Sequence, residues 1–217
     1  MLGTLLSEDD LAVAARCVGV RDPRVLAALA AVDRAGFVPR EHAMLADRDV
    51  PVPIPHHQVT TQPSLIARMV EGLRLAGRER VLEVGTGYGF QTAVLASLCR
   101  EVRSVERWPD LAEAARDNLA AAGVGNVQIV VGDGGEGLPD GAPYHSILIS
   151  AAAPRVPPPL VEQLSPHGRL VQPIGRGGRE RVTLFQKGAH GQLEVVRVLT
   201  GAHFVPLHGR HGVSRWR

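Results

Sequence analysis

The chain of 217 residues has little of the bulk character that would mark it for a charged or lipid partner. Formal net charge is only +2, which leaves no long-range electrostatic case for nucleic acid or a membrane surface. Lysine is almost missing. Apart from Lys187 the basic residues are arginines, which keep their protons, so amine chemistry has a single candidate. Cysteine is limited to Cys17 and Cys99, too few and too far apart for a metal cluster or a disulfide framework. No metal site is expected. No apolar run reaches the roughly 18 residues that a membrane-spanning helix needs. The first residues lack a basic start followed by an unbroken apolar stretch, so no signal peptide is expected. These absences describe a soluble, cytoplasmic protein. Aromatics are scarce at 4%, yet 45% of residues are hydrophobic, enough for one domain or one domain with an appendage.

What is present is concentrated around residues 81–96. Val81-Leu82-Glu83-Val84 reads as a short apolar strand, Gly85, Gly87 and Gly89 interrupt it, and a helix-compatible apolar run follows. Glycines at such a turn admit positive φ and let a ligand approach the backbone, and the free N–H groups of the helix point to the same place. A nucleotide-like cofactor fits there. A dinucleotide fingerprint spaces its glycines Gly-x-Gly-x-x-Gly and seats a pyrophosphate on the helix. Here the spacing is Gly-x-Gly-x-Gly, with Glu83 two residues earlier. A carboxylate would repel a pyrophosphate but attract the ammonium of S-adenosylmethionine, which carries a sulfonium and no phosphate. Thr86, Gln91 and Thr92 belong to the same stretch and join the cofactor-binding candidates. An ordinary strand-to-helix connection is the plainer reading.

Two later segments fit the same cofactor. Glu101 to Glu106 reads as a strand ending in an acid about 20 residues after Gly85, the place from which doubly wound folds hold ribose hydroxyls. A helix-capping acid ahead of Pro109 is the alternative for Glu106. Val127 to Val131 is an apolar strand followed by Gly132-Asp133-Gly134. Asp133 could accept from an adenine amino group, with Gly134 leaving room for the ring. Asp-Gly is also a plain turn.

Along the chain, Ser7-Glu8-Asp9-Asp10 looks like a helix cap before helical spacing at 11–18 and 23–32. From Ala35 to Gln62 the pattern dissolves among Pro39, Pro51, Pro53 and Pro55. Pro63 to Leu75 is amphipathic. Strands are expected near 80–84, 102–106, 127–131, 145–150 and 168–174, and helices near 90–99, 109–122 and 157–164. Such alternation predicts an α/β, doubly wound, mostly parallel sheet. Arg181–Gln186 and Leu193–Leu199, joined through Lys187–Gln192, add an antiparallel C-terminal hairpin. The expected organisation is an N-terminal helical and loop extension (1–76), a core (77–207) and a basic, weakly structured tail (208–217).

These pieces, in this order, resemble the protein-L-isoaspartate (D-aspartate) O-methyltransferase family. Gln58-Val59-Thr60-Thr61-Gln62-Pro63 and Phe204-Val205-Pro206-Leu207 are the family-specific segments, and the likeness runs from about residue 22 to 207. Leu148 to Pro154 resembles the segment after the fourth strand, Gly168 to Gly175 the fifth strand, and 204–207 the family's C-terminal strand. The resemblance implies a class I, Rossmann-like fold with seven strands. It implies methyl transfer from S-adenosylmethionine to the carboxylate of L-isoaspartyl residues in damaged proteins or peptides. The ester would then reclose to a succinimide that hydrolysis partly returns to aspartate. It implies Thr61 and Thr60 as the catalytic, substrate-holding residues, with Gln62, Pro63, Ala151 and Ala152 beside the substrate, in a monomer. On its own, Thr61 reads as the N-cap of the helix that Pro63 opens, and such a helix end also attracts anions. The chain departs from the family at His145, where an acid is common, and at His56-His57, where a glycine is common. An exposed loop is expected for that pair. Three other readings stay open. One is a nicotinamide oxidoreductase, another an O-methyltransferase for an aspartate of one dedicated peptide, and the third an S-adenosylmethionine-binding protein without activity.

Overall fold

The computed structural model describes residues 11–212. The cap expected at Ser7–Asp10 and the last part of the tail lie outside these residues. Helices α1 (Leu11–Cys17), α2 (Pro23–Ala31) and α3 (Pro63–Leu73) pack on one another, and α3 lies against the sheet. The links between them are specific. Asp22 caps α2 by accepting from Arg24 N at 2.9 Å, and Glu71 on α3 accepts from the backbone N–H groups of Arg21 and Asp22. Gly72 lets α3 sit close to the sheet, since a Cβ there would lie 3.3 Å from Leu199 and Val171.

The segment between α2 and α3 is built rather than unstructured. It holds two 3₁₀ turns, Arg34–Phe37 and Arg40–Leu45, and a hairpin of β1 (Pro53–Ile54) and β2 (Gln58–Val59). Arg34 organises it. Its guanidinium is 2% exposed and donates to the carbonyls of Leu45, Ala46, Arg48 and Val50 and to Thr60 Oγ1. Burial pulls its pKa down to about 10, which leaves it charged at neutral pH.

Seven strands form the main sheet: β3 (Arg80–Val84), β4 (Glu101–Glu106), β5 (Val127–Val131), β6 (Tyr144–Ile149), β7 (Leu164–Ile174), β8 (Glu180–Lys187) and β9 (Leu193–Ala202). Their order is β5-β4-β3-β6-β7-β8-β9, parallel from β5 to β7 and antiparallel through β8 and β9. Helices α4 (Phe90–Ala96), α5 (Pro109–Ala121) and α6 (Pro158–Gln163) connect the parallel strands. The central strand β3 is apolar because both its faces are covered: Val81, Leu82 and Val84 are all buried. The winding direction reverses between β3 and β6. In such sheets the crevice at the strands' carboxyl ends, at the reversal, is where ligands bind. Gly85 and Ser150 face each other there, each joined to the neighbouring strand by its N–H.

Two of the differences from the sequence expectation have clear physical reasons. Strand β7 begins at Leu164, not Gly168, because Leu164 pairs with Tyr144 before a register shift around Pro166, with His167 at φ 62°. Phe204–Leu207, expected as a strand, makes only an isolated bridge between Ala152 and Pro206, since proline has no N–H to extend a ladder. His145, near the start of β6, accepts from Arg80 N at 3.1 Å through its Nδ1. No helix among the described residues is long and apolar enough to cross a membrane.

Candidate active site

The cleft at the reversal is walled by the glycine turn, Glu106, Trp108, Gly134, Ser150 and the β1–β2 hairpin. Gly85, Gly87 and Gly89 have φ of 94°, 57° and 95°, which a Cβ would oppose. Glu106 is 5% exposed, accepting from Gly87 N at 2.9 Å and from Trp108 N at 3.0 Å. It ties the turn to the start of α5 and keeps acceptor capacity toward the cleft. Glu83, expected at the cofactor's edge, lies beneath the turn instead. It is fully buried, does not line the cleft, and accepts from Gln91 Nε2 (2.8 Å), Thr92 Oγ1 (2.6 Å) and Ser104 Oγ (2.7 Å). Thr86 and Thr92 turn inward with it, Thr86 Oγ1 lying 2.5 Å from Ser104 Oγ. Burial raises the Glu83 carboxyl to about 7 against the hydrogen bonds that oppose it. Its influence reaches the cleft through Gln91, whose Nε2 also lies 2.8 Å from Ser150 Oγ. Asp133 is likewise not a wall of the cleft. Its Oδ1 accepts from Gly135 N and its Oδ2 from Arg210 N, so the tail's first residues pack on it and only Gly134 faces the cleft.

A second cleft adjoins the first. Val59, Thr60, Thr61, Ser150 and Val205 wall both. The two threonines differ sharply. Thr60 Oγ1 accepts from Arg34 Nη2 at 3.1 Å and from Val52 N at 3.0 Å, so its hydroxyl holds the loop. The Thr61 hydroxyl has no partner among the described residues and sits where the clefts meet. The N-cap of α3 is Gln62, without a side-chain cap, so Thr61 does not cap that helix. Asp49 serves the helix end instead, accepting from Ser64 N and Gln62 Nε2, both at 2.7 Å. The anion place at this helix end is therefore taken by the chain's own carboxylate. Gln62 lines the second cleft, whereas Pro63 is buried at the first helical position. Ala151 lines the first cleft. Ala152 is buried and used for its backbone, exchanging hydrogen bonds with Val205 and Leu207.

The family model described as protein-L-isoaspartate(D-aspartate) O-methyltransferase matches residues 7–212. The chain belongs to that family. A protein-L-isoaspartate O-methyltransferase of Myxococcus xanthus is 47% identical over 194 residues, covering 88% of this chain and 92% of the relative. One of Anaeromyxobacter dehalogenans (strain 2CP-1) is 50% identical over 192 residues, covering 88% of this chain and 91% of the relative. A solved protein-L-isoaspartate O-methyltransferase structure superposes with a TM-score of 0.77 at 28% identity, over 93% of this chain and 66% of that one. A Plasmodium falciparum protein solved with S-adenosyl-L-homocysteine shares the fold, with a TM-score of 0.75 at 21% identity, over 92% of this chain and 97% of that one.

As a protein-L-isoaspartate O-methyltransferase family member, the chain needs a place for S-adenosylmethionine, and the first cleft fits it. Glu106 offers acceptors suited to a ribose diol, and the glycine turn leaves its backbone bare. Sequence reasoning missed four residues of the site. Arg34 and Asp49 act across the loop from 26 and 15 positions away, a distance that no local pattern reveals. Ser150 ends β6 as Gly85 ends β3, and strand pairing could have found it. Trp108, directly behind the acid of β4, was visible as one of only two tryptophans.

Proposed function

We propose that this chain transfers the methyl group of S-adenosylmethionine to the free carboxylate of L-isoaspartyl residues in damaged proteins and peptides. The neighbouring backbone nitrogen attacks the ester carbonyl, methanol leaves as a succinimide closes, and hydrolysis returns part of it to normal aspartate. The observation that carries the assignment of roles is the Thr61 hydroxyl, without a partner among the described residues and standing where the two clefts meet. The first cleft takes the cofactor and the second takes the peptide, so a carboxylate held by Thr61 lies between them.

When bound, S-adenosylmethionine supplies a sulfonium methyl that needs no further activation. A carboxylate is ionised at pH 7 and is itself the nucleophile, so no general base is required. The residues act by placement. Thr61 donates to one carboxylate oxygen and leaves the other to react, while Arg34 and Thr60 hold the backbone that carries Thr61. Gln91 and Ser150 present an amide and a hydroxyl at the floor of the cofactor cleft, with Glu83 fixing the amide. Alignment of two reactants in one cleft is the main source of rate for such a displacement. The proposal includes a monomer working in the cytoplasm, which sedimentation and fractionation would check.

Matched peptides with isoaspartate or normal aspartate at one position test the assignment. Labelled methyl should pass to the isoaspartyl peptide alone and be released by mild alkali, as an ester is. Label that survives alkali, or equal labelling of both peptides, would end it. Binding of S-adenosylmethionine without transfer to any isoaspartyl peptide would mark a non-catalytic protein.

A further inference from the structure

We propose that His56 is a positioning residue that clasps the β1–β2 hairpin over the cofactor cleft and so slows release of the cofactor and its demethylated product. The turn of the hairpin is made by His56 and His57 at φ of 62° and 56°. Paired positive φ is the geometry of a tight hairpin turn, and glycine or asparagine adopts it most easily. A non-glycine residue held there points to something its side chain does.

The His56 ring lies 3.9 Å from the Trp108 ring at 4° to it, a parallel stack. Its Nε2 sits 2.9 and 2.8 Å from the two carboxylate oxygens of Asp110 on α5. On the same corner the Arg107 guanidinium lies 5.5 Å from the Trp108 ring centre. Asp110 and Arg107 are thus the charged groups around the clasp. His57 makes none of these contacts among the described residues.

The two elements joined in this way are opposite lips of one cleft. Trp108 lines it, and its backbone N–H donates to Glu106. From the hairpin, Ile54 reaches over the glycine turn, where a Cβ on Gly87 would lie 3.5 Å from its Cδ1. Beyond the hairpin the chain runs into Thr60 and Thr61, whose place is held separately by Arg34 and Val52. Asp110 and His56 keep 59% and 31% of their side-chain exposure, so the clasp can open with each cofactor exchange. Neither group touches the reacting atoms, and the effect is on exchange.

The proposal rests on S-adenosylmethionine occupying the first cleft. It is tested on the full chain by stopped-flow tryptophan fluorescence, following displacement of S-adenosylhomocysteine. His56→Gly suits the turn's φ, so the melting temperature should hold or rise. Dissociation should quicken about fivefold from loss of the ring stack, KM for the cofactor should rise, and kcat should not fall. His56→Phe, which keeps a ring for Trp108, should restore most of the slow release. Asp110→Asn should move the rate in the same direction by less. Equal dissociation rates in wild type and His56→Gly overturn the proposal. So does faster release accompanied by a clear fall in melting temperature, the mark of a merely structural role. Failure of the cofactor reading looks different: the wild-type chain would bind no S-adenosylhomocysteine.

Discussion

Replacing each of two adjacent threonines by valine should have opposite consequences. Valine keeps the branching and removes the hydroxyl. In Thr61→Val no partner among the described residues is deprived, so folding should be nearly unchanged. If that hydroxyl donates to the substrate carboxylate, its loss costs about 1.5–3 kcal/mol, or roughly one to two decades in kcat/KM for an isoaspartyl peptide. Cofactor affinity should stay as it was, and Thr61→Ser should keep most of the rate. In Thr60→Val two donors lose an acceptor, Val52 N and Arg34 Nη2, though Nη2 retains the Val50 carbonyl. Leaving a part-buried donor short costs about 1–3 kcal/mol of stability. For a chain of this size that lowers the melting temperature by roughly 2–4 °C per kcal/mol. Thermal melts and kcat/KM on the same four proteins decide the matter. Normal kcat/KM in Thr61→Val would move the substrate contact from this hydroxyl to other donors of the second cleft, backbone N–H groups first among them. A melting shift in Thr61→Val equal to that of Thr60→Val would mean that Thr61 supports the loop.

Other predictions follow from the cofactor cleft and its supports. Glu106→Gln should weaken S-adenosylmethionine binding by roughly 1.5–3 kcal/mol in calorimetry, and unchanged affinity in a folded variant would remove the ribose role. Glu83, with its carboxyl at about 7 in the fold and an ordinary value when unfolded, holds its proton in the native state after the unfolded chain has lost it. It therefore lowers stability as pH rises from about 4.5 to about 7, by roughly 3 kcal/mol in all. Denaturant titrations should show that decline in wild type and a flatter profile in Glu83→Gln; parallel profiles would refute it. Asp49→Ala should cost about 1 kcal/mol of stability through the uncapped start of α3, with no change in cofactor affinity by calorimetry.

Legibility followed sequence distance. The strand, glycine turn and helix at 80–96 were readable because strand period, glycine spacing and helix are all local signals. So was the position of Glu106, since strand length and crossover length fix the spacing from one strand tip to the next. Glu83 lies on the expected strand, and its side chain faces α4 rather than the cleft. Side chains alternate across a strand, and Val81 and Glu83 share the face covered by α4. That face puts the carboxylate against Gln91 and Thr92 rather than against a ligand. The alternation is legible in the sequence, but which face meets a helix and which meets a ligand is not. Asp133 is held by two backbone donors, and one of them, Arg210 N, lies 77 positions away in a tail that composition marks as loose, beyond any local pattern.

The loop from 35 to 62 shows most clearly what sequence pattern leaves out. Its prolines exclude a long helix, and nothing local says what shape takes its place. The shape comes from one buried guanidinium. Arg34 sends its donors to four carbonyls between residues 45 and 50 and to Thr60 Oγ1. A planar, permanently charged fork can satisfy many acceptors at once, which an ammonium cannot do in the same geometry. The same contacts separate the two threonines that the sequence offered as equivalents. Thr60 is drawn back toward Arg34 and Val52, and that leaves Thr61 as the hydroxyl available where the clefts meet. The division of labour between neighbours is thus set 26 residues upstream.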